Sequence, residues 1–363
     1  MSNSTASHSR SLGSQDLTFG LEEEVYVTSP TEPNLESLYY LAKLLWRNPR
    51  RYYRHSDSNF ARGPDLKRGL MSGVEVSTIR QTTPTAAVAD LMLCRQDLVR
   101  ALGGSGALLV PVGHLLDRDT PTNVCGLHIH IGLPAWAREA AYRRLAPFLP
   151  LLALLTASSP CRSGEYFGPS YRMVAGYATG PLRGDPRYRF QDLIISRRLG
   201  TIEARLFDPV WDLARVETLL RAMRSLVLYA PEQPLDYQGY ARMRNLAAKR
   251  GDGPEFDQLY AGVSDCLAQA GEPAISRALF AVPPAAAIYQ MYRESGLVAA
   301  YTAVHRGYCG LGFGLGEGRQ VVGRRASRLR AAGGVMGYYV VRLPYKLHKV
   351  LRESGRERLV DKA

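Results

Sequence analysis

Four short segments of this chain alternate apolar and polar residues, and their polar residues are the types that handle metal ions and phosphate. In a strand, successive side chains point to opposite faces. In the segment 17–27, LTFGLEEEVYV, Glu22 and Glu24 share a face, and Phe19, Leu21, Val25 and Val27 take the other with Glu23. In 73–79, GVEVSTI, Glu75 and Ser77 oppose Val74, Val76 and Thr78. In 126–132, GLHIHIG, His128 and His130 oppose Leu127, Ile129 and Ile131. In 201–207, TIEARLF, Glu203 and Arg205 oppose Ile202, Ala204 and Leu206. If the four belong to one sheet, four carboxylates, two imidazoles and a guanidinium converge. Carboxylates gathered in this way repel and raise one another's pKa unless a cation intervenes. An oxygen-rich set with some nitrogen and no thiolate suits Mg2+ or Mn2+. Arg205 would clamp phosphate with its planar fork, which is the electrostatics of phosphoryl transfer. Each segment alone reads as a solvated sheet face, so the inference rests on the four occurring together.

These strands need a sheet with one covered and one open face. Buried parallel strands read as continuous apolar runs, whereas alternation marks an antiparallel sheet solvated on one side. The expected fold is therefore α+β, a largely antiparallel sheet with helices on one face and an open active-site face. Helical spacing is present at 37–46, 85–102, 135–157 and 212–230, and less clearly at 254–270 and 284–305. The second of these follows Pro84 and stops at Gly103, the usual punctuation. We expect a disordered tail over 1–16, a catalytic domain over 17–306, and a glycine-rich loop with a basic helical segment over 307–363.

With 46 Lys and Arg against 33 Asp and Glu, the net charge is +13, which favours anionic partners. Five cysteines without a CxxC pair argue against a disulfide framework or structural zinc and for a reducing, cytoplasmic setting. The most apolar stretch, 145–155, holds Pro147 and Pro150 and is too short to span a bilayer, so no membrane partner is expected. The loop YCGLGFGLGEG (308–318) lacks the spacing and lysine of a P-loop. The stretch RQVVGRRASRLR (319–330) keeps a nucleic-acid or acidic-protein partner open as a second reading, on a scaffold that binds without catalysing.

The same residues carry a resemblance. FGLEEEVYV resembles the Gly-x-Glu-x-Glu strand of the second family of glutamate–cysteine ligases, the YbdK-like carboxylate–amine ligases. GVEVSTIRQTTP, CGLHIHIGLP, RLAPFLPLLALLTASSPCRSGEYFGPSYRMV and TIEARLFD are similar to that family's further motifs, in its order, across 19–208. The resemblance implies a glutamine-synthetase-like fold and an ATP- and Mg2+-dependent ligase. Such an enzyme phosphorylates a carboxylate, typically the glutamate side chain, and lets an amine displace the phosphate. It further implies Glu22, Glu24, Glu75, His128 and Glu203 as metal ligands or their neighbours, with Glu203 and Arg205 catalytic. Arg205 would bind ATP, and Thr78, His130 and Arg172 would line the substrate pocket. Small-molecule acids and amines would be the partners, and a homodimer is compatible with this reading. The chain departs from the family where Cys161-Arg162 follows Ser-Ser-Pro in place of an aromatic residue, in a short 173–200 segment, and in NLAAKRG (245–251), which only echoes a later motif. These departures bear on substrate choice and leave the sheet and the metal-binding residues in place.

Overall fold

The computed structural model describes residues 12–60, 72–120, 124–175, 179–196, 198–316, 327–338 and 340. Expectations for 1–11, for most of the basic stretch after Arg319, and for 341–363 lie outside the described residues.

The four alternating segments all form strands of one antiparallel sheet. In chain order the strands are β1 (Thr18–Thr28), β2 (Ser56–Phe60), β3 (Ser72–Ser77), β4 (Leu108–Val110), β5 (Leu127–Gly132), β6 (Cys161–Arg162), β7 (Glu165–Tyr166), β8 (Leu193–Ser196) and β9 (Thr201–Phe207). The main sheet runs β2-β3-β1-β5-β9-β8, with β4 also on β1, and β6 and β7 make a separate hairpin. Every pairing is antiparallel. The apolar face is buried as alternation requires: Phe19, Leu21, Val74, Val76, Leu127, Ile129, Ile131, Ile202, Ala204 and Leu206 are all at most 1% exposed.

Helices cover that face. Under β1, β5 and β9 lie the start of the helix Pro84–Leu102, the segment Arg138–Ala153 and the helix Leu213–Tyr229. Under β1 and β3 lie Glu36–Arg47 and the second half of Pro84–Leu102. The latter helix starts where Thr83 Oγ1 accepts the Ala86 amide, with Pro84 in its first turn, and stops at Gly103, φ 56°. The expected single helix over 135–157 is instead four short pieces, Ala135–Ala137, Arg138–Leu145, Ala146–Phe148 and Leu149–Ala153. Pro147 and Pro150 withdraw the amides a continuous helix needs. The helix expected over 284–305 is two, Pro284–Ser295 and Leu297–Tyr308, divided at Gly296 with φ 84°.

One charged pair crosses the covered face. Glu23, fully buried, takes Arg95 Nε at 3.0 Å, a second contact from Arg95 Nη2, and the Tyr308 hydroxyl at 3.1 Å. Arg95 spends its remaining donors on the carbonyls of Val210 and Trp211. The pair is thus hydrogen-bonded throughout, the condition for burying opposite charges.

The helix Leu297–Tyr308 packs beside the edge of β4, where the Leu109 amide donates to His305 Nδ1 at 3.0 Å. Its neighbours Ala300, Tyr301 and Val304 pack on Tyr26, Leu108 and Val110, closing the otherwise open face at one end of β1. Residues 328–338 are helical and lie on Glu36–Arg47, with Val335 and Tyr338 joining that core and the Ser327 amide donating to Glu36. At the other terminus Ser14–Asp16 form a 3-10 turn and Leu12 packs on the core.

Candidate functional site

The open face carries a cleft of about 1130 Å3 whose floor is the polar side of β1, β3, β5 and β9. Register builds its rows. Glu22 stands opposite His128 across β1 and β5, and His130 opposite Glu203 across β5 and β9. On the other side of β1, Glu24 stands opposite Glu75, which in turn faces Asp57 of β2.

Glu22 is the hub. Its two carboxylate oxygens lie 3.5 Å from His128 Nδ1 and 3.5 Å from His130 Nε2. Burial pushes the Glu22 carboxyl up, but the two imidazoles outweigh it and hold it well below the usual carboxylate range. Burial likewise pulls His130 down, and the Glu22 carboxylate 3.5 Å away, with the charge of Glu203, brings it net upward. Glu22, His130 and Glu203 each offer one ligand atom within 4.8 Å of the others. Two carboxylates and an imidazole at that spacing form a hard, oxygen-rich donor set that fits Mg2+ or Mn2+.

Beside that group, Arg205 Nη1 donates to Glu203 Oε1 at 2.6 Å, and Arg205 Nε is buried without a hydrogen-bond partner. Thr179 Oγ1, also lining the cleft, is a second such atom. Buried polar atoms are nearly always satisfied, so unpaired ones facing a cleft are what a ligand would fill.

The remaining expected residues are placed as follows. Glu24 accepts the Gly126 amide at 2.9 Å and borders the cleft with Glu75. Thr78 borders it too, its Oγ1 accepting the Leu21 amide at 2.9 Å. Arg172, 1% exposed, reaches the cleft wall from beneath and donates to the carbonyls of Leu206 at 2.8 Å and Arg205 at 3.1 Å. The structure therefore gathers Glu22, His130, Glu203 and Arg205 most closely, and groups Glu24 and Glu75 in the row beside them. The sequence put His128 among the ligands and His130 in the substrate pocket; it is His130 that joins Glu22 and Glu203. Asp57 and a rim of arginines that includes Arg54, Arg80, Arg138 and Arg198 were not anticipated. Asp57 lies in SDSNF, which has no apolar alternation to reveal a strand.

The sheet floor thus bears a group of carboxylates and an imidazole that could hold a cation, with an arginine beside it and further arginines around the cleft. No family model matches the chain. Over 51 residues, 14% of its length, the chain is 51% identical to "Putative glutamate--cysteine ligase 2" of Pseudomonas aeruginosa (strain LESB58), covering 14% of that protein. A namesake from Pseudomonas paraeruginosa (strain DSM 24068 / PA7) is 49% identical over 51 residues, again 14% of each chain. The match thus spans about one seventh of these relatives' length. The fold is similar to that of a bifunctional glutathione synthetase from Pasteurella multocida, with TM-score 0.50 and 13% identity over 89% of this chain and 52% of that one. The resemblance to the second family of glutamate–cysteine ligases stands, and the proteins this chain is similar to are carboxylate–amine ligases. Among the described residues, no helix is long and apolar enough to cross a membrane.

Proposed function

We propose that this chain is an ATP- and Mg2+-dependent ligase that joins a carboxylate, the glutamate side chain by family resemblance, to an amine through an acyl phosphate. The observation that carries this reading is the convergence of Glu22, His130 and Glu203 with Arg205 beside them. Glu22, Glu203 and His130 would hold the metal, with Glu24, Glu75 and His128 around them. The metal would screen the phosphate oxygens and lower the charge barrier to attack. Arg205 would turn its guanidinium from Glu203 toward the transferring phosphate, where a planar fork stabilises charge as it shifts. Thr78 and His130 would border the space left for the acid, with Arg172 buried behind its wall, and the rim arginines favour anionic substrates. The carboxylate oxygen attacks the terminal phosphorus, ADP leaves, and the amine then displaces phosphate to leave an amide. A cytoplasmic enzyme acting on small acids and amines follows from this reading.

The test is a screen of ADP release with glutamate and other acids against a panel of amines. Amine-dependent ADP release with amide product is expected. Mg-ATP binding without turnover under any pair would favour a non-catalytic binding protein on the same scaffold.

A further inference from the structure

The pairing of β5 with β9 slips by one residue. Leu127 stands opposite Phe207, whereas Ile129 stands opposite Ala204, so Arg205 and Leu206 together face the single residue His128. This is a β-bulge, a device that re-aims side chains beside functional sites. It puts both Leu206 and Phe207 into the core, fully buried, and leaves Arg205 on the cleft face two residues from Glu203. A bulge takes its residues out of one-to-one pairing, and their carbonyls need other partners.

Arg172 supplies them. Its Nη1 donates to the Leu206 carbonyl and its Nη2 to the Arg205 carbonyl, so one rigid fork spans both bulged residues. Arg172 is itself held from behind. Asp208 lies 3.8 Å from its Nη1, and Asp208 Oδ2 accepts the Ser158 amide at 2.9 Å and the Ser159 hydroxyl at 2.8 Å. Space for the fork is made by two glycines: a Cβ on Gly126 would lie 2.4 Å from Arg172 Nη2, and one on Gly113 2.5 Å from Arg172 Cδ. The Ser158-Ser159 pair, Arg172 and Asp208, from three parts of the sequence, thus form one buried bracket behind the bulge.

We propose that Arg172 is a positioning residue. By holding the two bulge carbonyls it fixes the direction of the Arg205 guanidinium, and it acts on the ligand through Arg205 rather than by touching the acid. This rests on the ligase reading only for the choice of nucleotide as probe.

The test is a double-mutant cycle read by calorimetric titration of the full chain with Mg2+ and a non-hydrolysable ATP analogue. Arg172→Lys keeps the charge but cannot span two carbonyls. It should weaken binding roughly tenfold, the scale of losing a charge-assisted contact, as Arg205→Lys does. The double variant should be no weaker than Arg205→Lys alone, since both changes remove one function. Additive losses near a hundredfold, or wild-type affinity in folded Arg172→Lys, would overturn the proposal. If the wild type binds no nucleotide, the ligase reading fails and a crystal structure of Arg172→Lys decides the inference. Loss of the Arg205–Glu203 contact there supports it, and an unmoved Arg205 overturns it. Should Arg172→Lys not fold, Arg172→Met with Asp208→Asn removes both charges together and is read by the same titration and structure.

Discussion

Glu203 and Arg205 lie on the same face of β9, with the guanidinium Nη1 2.6 Å from the carboxylate Oε1. One strand face thereby carries a carboxylate and a guanidinium that neutralise each other; under the proposed function they are a metal ligand and a phosphate clamp. Glu203→Gln should abolish amide formation and weaken Mg-ATP binding while the fold stays intact. Arg205→Lys should lower kcat by about 100-fold, the scale of losing one preorganised donor. If the pairing serves the fold alone, Arg205→Lys will lower Tm and leave kcat near wild type, so both are measured on each variant.

The acyl-phosphate route makes a claim about atoms. Acid substrate labelled with 18O in its carboxylate should transfer label to the released phosphate, with ADP as the nucleotide product. AMP and pyrophosphate would indicate adenylation and remove this mechanism.

The pair Glu23–Arg95 lies beneath the site on the covered face, its side chains 0% and 3% exposed. Arg95→Met strands a buried carboxylate and should destabilise the chain by about 3–5 kcal/mol. Glu23→Leu with Arg95→Met should recover most of that, because a hydrophobic pair of similar volume leaves no uncompensated charge. Denaturant unfolding of the three proteins checks the order.

His305 accepts the Leu109 amide with Nδ1, so that nitrogen must carry no proton. Burial, with the nearby Arg306 charge, depresses its pKa from 6.5 to about 4. A group depressed in the folded state is more readily protonated in the unfolded chain. Its contribution is therefore complete above about pH 6.5 and is lost as pH falls toward about 4. The loss amounts to roughly 3 kcal/mol at most. Tm measured across that window should fall more steeply for the wild type than for His305→Asn, which keeps an acceptor but does not titrate.

The sheet and its polar face were legible because β1, β3, β5 and β9 each alternate cleanly, and alternation identifies both the strand and its buried side. Other strands lacked that signal for physical reasons. β8 reads Leu-Ile-Ile because Leu193, Ile194 and Ile195 are all buried, and β2 has too few apolar residues to show a face. The bulge at Arg205 and Leu206 was not legible, since a bulge exists only relative to a partner strand. The same holds for His130. Alternation places both histidines on the cleft side, but only register shows which one meets Glu203. The broken helix over 135–157 was legible in principle from Pro147 and Pro150.

The three successive glutamates of β1 have a consequence for assembly. A one-residue slip of this strand against β3 and β5 would turn every side chain over. Either Glu22 or Glu24 would then take the place of Glu23 beside Arg95, while the other would enter the apolar layer without a counterion and Leu21 and Val25 would turn into the cleft. Misregistered pairings are thus penalised by one stranded carboxylate in the core and by apolar side chains turned into the cleft, while the Arg95 ion pair itself survives the slip. The apolar residues on either side of the three glutamates, Phe19 and Leu21 before them and Val25 and Val27 after them, are therefore what tells the strand where to sit.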